Sequence, residues 1–249
     1  IMLSAYMGYF AIVLLKVSFG GALLLATLGA TLIAVLIERI AYRPLRKRSA
    51  PTLYFIISAM GMSILLENLV IATIGPQFKT YPIIFAESTI QLGNLSISKM
   101  DIFMLIIAAV ALVGLVFFLN KTRTGIAVRA ATYNARASQL MGVNVDRIVS
   151  IVFALGGALA GIAGVFFGIR YTVYAQAGII TNKAFVAAVF GGLGSLPGAI
   201  VGSILLGIIE TFVAAWRSQL RDLTTFAILI AVLVFKPTGL MGKNTEDKA

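Results

Sequence analysis

An all-α, polytopic transmembrane helix bundle is the fold class this sequence predicts, and three observations predict it. Hydrophobic residues make up 60% of the 249 and charged residues only 12%, against about 25% charged in an average soluble domain. The apolar residues fall in runs of bilayer length, since a spanning helix takes about 20 of them. The basic residues are bunched: thirteen of the twenty Lys and Arg fall at Arg39, Arg43, Arg46, Lys47 and Arg48, at Lys121, Arg123, Arg129, Arg136 and Arg147, and at Lys236, Lys243 and Lys248. Such clusters mark the cytoplasmic side of a membrane protein. The formal charge of +11 therefore reads as topology and anchoring to anionic headgroups, not as a nucleic-acid surface.

Taken in order, the apolar runs place spans near 1–17, 21–37, 52–74, 101–119, 148–168, 183–195, 197–216 and 222–235. With 38–50 inside, counting crossings returns 120–147 and 236–249 to the same side, so all three basic clusters agree. That agreement is the reason to count the short run 183–195 as a crossing, completed by residues of the preceding loop. The chain is then one transmembrane domain over 1–249 with about eight crossings. The outer loop 75–100, with Pro76, Pro82 and Gly93, reads as a surface excursion. No signal peptide is visible at Ile1, and further residues are expected to precede it.

Several chemistries are excluded. With no cysteine and no histidine, disulfides, thiolate or imidazole metal sites and histidine acid–base catalysis are absent. The phosphate-binding pattern Gly-x-x-x-x-Gly-Lys-Ser/Thr does not occur, so energy for any pumping must come from a partner or an ion gradient. No catalytic residue, metal or directly bound cofactor is expected.

Four features remain as candidates. The segment from Lys121 to Arg147 is longer than an ordinary connection, and Ile126 to Met141 predicts a helix closed by Gly142 in a left-handed cap. Ala127, Ala130, Ala131, Ala135 and Ala137 keep it slim, and Arg129 and Arg136 lie seven apart, near one face. The residues by themselves fit a partner-docking helix and a headgroup-lying helix equally. Gly157, Gly161, Gly164 and Gly168, and similarly Gly198, Gly202 and Gly207, have the small-residue spacing of helices that pack backbone to backbone.

The stretch Gly191-Gly192-Leu193-Gly194-Ser195-Leu196-Pro197-Gly198 cannot stay helical. An interruption in a membrane must be covered by protein or line a cavity, which makes Gly191, Gly192, Gly194, Ser195 and Gly198 candidates for a path or gate. The alternative is a packing turn. Glu67, beside Asn68, and Glu210 sit in apolar runs. A charge there is costly unless it faces the bundle, a cavity or an interface, so Glu67 and Asn68 are either structural or part of the path.

Five stretches in this order carry a resemblance: Glu38-Arg39-Ile40-Ala41-Tyr42-Arg43-Pro44-Leu45-Arg46, Ser58-Ala59-Met60-Gly61-Met62-Ser63, Arg129-Ala130 through Leu140-Met141-Gly142-Val143-Asn144, Ala184 through Gly198, and Lys236-Pro237-Thr238-Gly239-Leu240. Together they resemble the permease subunits of branched-chain amino acid ABC importers, along nearly the whole chain. Relatives of that family include permeases for urea, short amides and, more distantly, sugars.

The resemblance implies a fold akin to the vitamin B12-type (type II-like) importers in a bacterial or archaeal inner membrane. It also implies a second homologous permease subunit, two ATPase subunits that bind ATP and Mg, and an extracytoplasmic solute-binding protein. It implies that Ile126 to Gly142 is the coupling helix, with Arg129, Ala130, Ala131, Asn134, Ala135, Ala137, Leu140 and Gly142 toward the ATPase. The family pattern usually carries further membrane segments before the equivalent of Ile1, so the resemblance implies that N-terminal segments are lacking here. A rival reading is an ion-gradient-driven secondary transporter, which broken helices and membrane acids fit as well; a self-sufficient transporter has no need of the alanine-lined helix. A purely structural anchor leaves Gly191 to Gly198 and Glu67 without purpose.

Overall fold

The computed structural model describes residues 1–48, 50–82, 89–92, 95–236 and 238–242. Pro237, Gly93, Lys243 and Lys248, which figured in the sequence reading, lie outside them. The chain divides into two compact units, Ile1–Ala177 and Gly178–Ala249. The helices are α1 (Met2–Val13), α2 (Phe19–Ile37), α3 (Arg43–Lys47), α4 (Thr52–Ile74), α5 (Lys99–Lys121), α6 (Arg123–Tyr133), α7 (Ala135–Leu140), α8 (Val145–Arg170), α9 (Ile180–Gly191), α10 (Leu196–Trp216) and α11 (Leu220–Phe235). A wider π-helical turn, Glu38–Tyr42, joins α2 to α3, and a 3-10 turn covers Ala175–Ile179. The departure from an all-helical architecture among the described residues is a hairpin of β1 (Thr89–Leu92) and β2 (Leu95–Ser98), with Thr89 opposite Ser98. It lies in the stretch expected to be a plain surface excursion.

Local chemistry sets the helix ends. Ser98 caps α5 by accepting from the Met100 N–H (3.2 Å), with Asp101 in the first turn and Lys121 in the last, each complementing the helix dipole. Ser195 caps α10 and Pro197 follows inside the first turn, where its missing N–H leaves nothing unpaired.

In the first unit α1, α2 and α8 form the packed centre, and the glycines of α8 make that packing possible. A Cβ on Gly157 would lie 2.6 Å from the Ala34 methyl, and one on Gly161 2.7 Å from the Thr27 Cα. One on Gly164 would overlap the Ser4 hydroxyl and the Ile1 carbonyl. The expected backbone-to-backbone seam is therefore present, and Ser4 Oγ crosses it to the Ala160 carbonyl (3.1 Å).

Beyond the helix ends, Lys79 and Val173 pair as an antiparallel bridge (2.9 and 2.8 Å), and the Tyr81 hydroxyl donates to the Ala5 carbonyl (2.7 Å). Part of the outer loop is thus tied down over a core of Met2, Ala5, Tyr6, Val70, Tyr81, Val173, Ala175 and Ala177. Desolvation pushes the Tyr81 phenol above the ordinary tyrosine range, so it stays a neutral donor. By contrast α4 buries only Val70 and α5 buries nothing, and Leu24, Leu28, Leu32 and Leu36 line an open face of α2. Apolar faces of this size suit a bilayer or a partner subunit, not water.

The second unit packs α9 and α10 against each other and α11 onto both, around Val186, Ala187 and Leu206 with Ile228 and Leu229 at the edge. A Cβ on Gly202 would lie 2.6 Å from the Ala187 carbonyl oxygen. Gly207 differs from the expectation: among the described residues no other element packs against it, and it opens into a shallow groove with Ser203, Ile204, Ile208, Thr211 and Phe212.

Five helical stretches are long and apolar enough to cross a membrane: Phe19–Lys47, Thr52–Ile74, Lys99–Lys121, Val145–Arg170 and Leu196–Trp216. The remaining expected spans correspond to shorter helices, α1 and α9 at 12 residues each and α11 at 16. The run 183–195 is not one helix, because α9 stops at Gly191 and Gly192 takes φ +115°.

Candidate functional site

The basic segment 120–147 folds as two short helices, not the single one expected from Ile126 to Met141. Thr122 Oγ1 accepts from the Gly125 N–H (3.0 Å) to start α6, and Gly125 is buried against the carbonyls that end α5. The break falls at Asn134, which is extended (φ −151°, ψ 104°) and accepts from the Ala137 N–H (3.0 Å) to start α7. An asparagine amide competes with helical hydrogen bonds and favours such a cap, which the helix-former count overlooked. Arg129 and Arg136 are therefore on different helices and do not share one helix face as the seven-residue spacing predicts. Gly142 does adopt the left-handed conformation (φ +84°).

This element presents an unusual surface. Arg129, Ala130, Asn134, Ala135, Ala137, Leu140 and Gly142 are exposed and Ala131 is half-buried. Leu140 is 89% and Met141 85% exposed. Two large apolar side chains standing clear at the end of a short, otherwise polar helix are what a protein contact would cover.

Beside it lies an ion-pair network that the sequence reading did not assemble. Arg46 donates from Nε to Asp146 Oδ1 (2.9 Å) and from Nη2 to Glu38 Oε1 (2.8 Å), and Nη2 lies 2.7 Å from Asp146 Oδ1 as an ion pair. Glu38 is fully buried, and its other oxygen accepts from the Ser150 hydroxyl (2.8 Å). A cleft of about 520 Å³ opens next to it, lined by Arg46, Lys47, Gln139, Gly142, Asn144 and Asp146 among others. The available signals were an acid at the end of an apolar run, at Glu38, and a lone acid among cations, at Asp146.

Of the candidate path residues, Glu67 and Asn68 belong to the first unit and Gly191 to Gly198 to the second. Glu67 is half-buried on α4 and makes no hydrogen bond or ion pair among the described residues. Asn68 is exposed and donates to the Ile64 carbonyl of its own helix (2.8 Å). Glu67→Leu should therefore leave the thermal stability of this chain unchanged, so that any loss of solute uptake reports a role outside its own fold. A large drop in melting temperature would show that an internal partner holds it.

At Gly191 to Gly198 the freed backbone groups are met by protein. The Phe190 and Gly191 carbonyls accept from the N–H groups of Leu240 (3.0 Å) and Met241 (2.9 Å), both on the segment after α11. Gly191, Gly192 and Gly198 are buried, Gly194 is exposed at φ +88°, and Ser195 Oγ accepts from the Gly198 N–H (3.2 Å).

The second membrane acid, Glu210, is buried and paired, as its insertion penalty requires. Lys183 of α9 lies 3.3 Å away, Arg221 Nε donates to it at 2.9 Å, and the Thr225 hydroxyl also donates to it. Lys183 reaches Asp222 as well (2.7 Å). Three helices are tied at one point.

Residues 1–233 match the family model of the branched-chain amino acid transport system permease component. The chain is 36% identical, over 99% of its length and 85% of the relative's, to the high-affinity branched-chain amino acid transport system permease protein BraD of Pseudomonas aeruginosa. It is 38% identical to LivH, a permease protein of the same kind of system in Escherichia coli, over 85% of this chain and 70% of that one. With the probable branched-chain amino acid transport permease protein LivH of Methanocaldococcus jannaschii it shares 29% over 83% of its length and 70% of the relative's. No solved structure matches it significantly. Apolar helices of spanning length, a packed glycine seam and similarity along the whole chain agree: this protein belongs to the permease components of branched-chain amino acid transport systems, as a multi-pass inner-membrane subunit of an ABC importer.

Proposed function

We propose that this subunit forms half of the path by which branched-chain amino acids enter the cell, driven by ATP that partner subunits bind with Mg and hydrolyse. The observation that carries this reading is the pair α6–α7, a helical element in a basic segment whose apolar tip, Leu140 and Met141, has no cover. A transporter working alone on an ion gradient has no use for such a tip; an ATPase subunit would bury it. The assembly would hold a second homologous permease, two ATPase subunits and an extracytoplasmic solute-binding protein that delivers the solute, with helices arranged as in the vitamin B12-type importers. The relatives' names and the matching residues support the solute class. The chain itself binds, orients and admits, and does no covalent chemistry.

Mechanistically, nucleotide binding can shift the permease pair between outward and inward access only by favouring one arrangement over the other. That preference has to be exerted where the ATPase touches the permease. Leu140→Asp is expected to weaken co-purification of the ATPase by roughly tenfold or more, because it sets a charge into a desolvated contact. Reconstituted with both permeases, ATPase and binding protein, the wild-type chain should take up leucine only with ATP. Uptake that follows an ion gradient without ATPase would overturn the reading, and uptake of urea or short amides in place of leucine would overturn the solute class.

A further inference from the structure

We propose that Arg46 and Asp146 are positioning residues for the transport step, forming a clamp that delivers displacement of the α6–α7 docking element to the packed pair α2 and α8; this rests on the docking reading above. The chain between the docking tip and the clamp has no slack. After Leu140, the Gly142 N–H donates to the Gln139 carbonyl (3.0 Å) and the Val143 N–H to that of Ser138 (3.0 Å). The Asn144 side chain then accepts from the Arg147 N–H (3.1 Å), and Asp146 stands in the first turn of α8. Five residues, in a stretch held by these turn and cap bonds, separate Leu140 from Asp146.

At Asp146 the linkage closes on itself. The guanidinium of Arg46 holds one oxygen of the Asp146 carboxylate, Nε donating to Oδ1 at 2.9 Å and Nη2 lying 2.7 Å from the same atom, a charge-assisted contact. The same Arg46 holds buried Glu38, Glu38 accepts from the Ser150 hydroxyl (2.8 Å), and Ser150 Oγ lies 3.1 Å from the Asp146 carbonyl oxygen. Arg43 adds a second cation 3.8 Å from Asp146, so two carboxylates face two guanidinium groups.

Residues eight apart on a regular helix lie about 80° round the axis from each other. The wide turn at Glu38–Tyr42 takes up part of that offset and lets Arg46 reach back to Glu38. On the far side of the clamp α2 and α8 meet backbone to backbone at Gly157 and Gly161, so they move together. A push on the docking tip is passed to that pair instead of being absorbed at the loop.

A fold-stabilising role alone makes a different forecast. Asp146 is one-third exposed, and exposed ion pairs contribute little to stability, so its loss should leave folding intact. The test uses the assembled transporter in proteoliposomes with leucine, the binding protein and ATP. Asp146→Ala should keep its level in the membrane, its ATPase association and its basal hydrolysis. Leucine moved per ATP hydrolysed should fall roughly tenfold, within the usual range of coupling between sites, and Asp146→Glu should restore it. If Asp146→Ala does not accumulate, Asp146→Asn, which keeps volume but not charge, carries the same test. An unchanged ratio of leucine to ATP, with the ATPase still cross-linked through Leu140→Cys, overturns the clamp. Failure of that cross-link in the wild-type background overturns the docking reading itself.

Discussion

Gly192→Val is expected to abolish uptake and lower the melting temperature of the purified chain, the larger of two effects anticipated in the second unit. Gly192 sits at φ +115°, where a β-branched residue is strained by about 1–3 kcal/mol. Its Cβ would also lie 2.8 Å from the Gly242 Cα and 3.0 Å from the Thr238 carbonyl oxygen. Both are backbone atoms and cannot rotate away. The clash would pull the Thr238–Gly242 stretch off the end of α9 and leave the Phe190 and Gly191 carbonyls without their donors, at about 1–3 kcal/mol for each group buried unpaired. Gly194→Ala is the control, since Gly194 has φ +88° but open space around it; only the backbone term, about 1–2 kcal/mol, then applies. Equal losses in the two variants would show that conformation, not the contact with the C-terminal segment, decides.

Glu210→Leu is expected to destabilise the chain by about 3 kcal/mol, toward the low end for breaking a buried ion pair because Lys183 and Arg221 keep some solvent. With Glu210 gone, Lys183 keeps only the Asp222 carboxylate, and the Thr225 hydroxyl keeps only the Arg221 carbonyl as acceptor. Glu210→Gln should lose less, since its one amide oxygen still accepts from either Thr225 or Arg221. Lys183→Met placed on Glu210→Leu should recover part of the loss by restoring charge balance. Thermal unfolding of the three variants in detergent reads this directly, and a Glu210→Leu variant as stable as the wild type would mean that the cluster contributes nothing to the fold.

How much of this could be read in advance varies element by element. The glycine ladder on α8 was legible because small-residue spacing is a local, periodic signal with one main physical use. The Gly191–Gly198 break and the left-handed Gly142 were legible for a similar reason, since glycine and proline act on the backbone where they stand. Glu210 was legible as a charge that needs a partner. Its partners were not, because Lys183 and Asp222 are 27 and 12 residues away along the chain and only the packing of α9, α10 and α11 brings them together.

The same division holds for the candidate site. Composition, run length and charge clusters determined that the chain is a polytopic membrane protein, and five ordered motifs pointed to its family. They did so because burial in lipid acts on each residue alone and motif order survives in the linear chain. Tertiary structure alone decided that the freed carbonyls of α9 are capped by residues after α11. It likewise placed Arg46 between Glu38 and Asp146, and left Glu67 without a partner among the described residues. Each of these is a choice among hydrogen-bond partners distant in sequence, and such choices are made by geometry that no local pattern encodes.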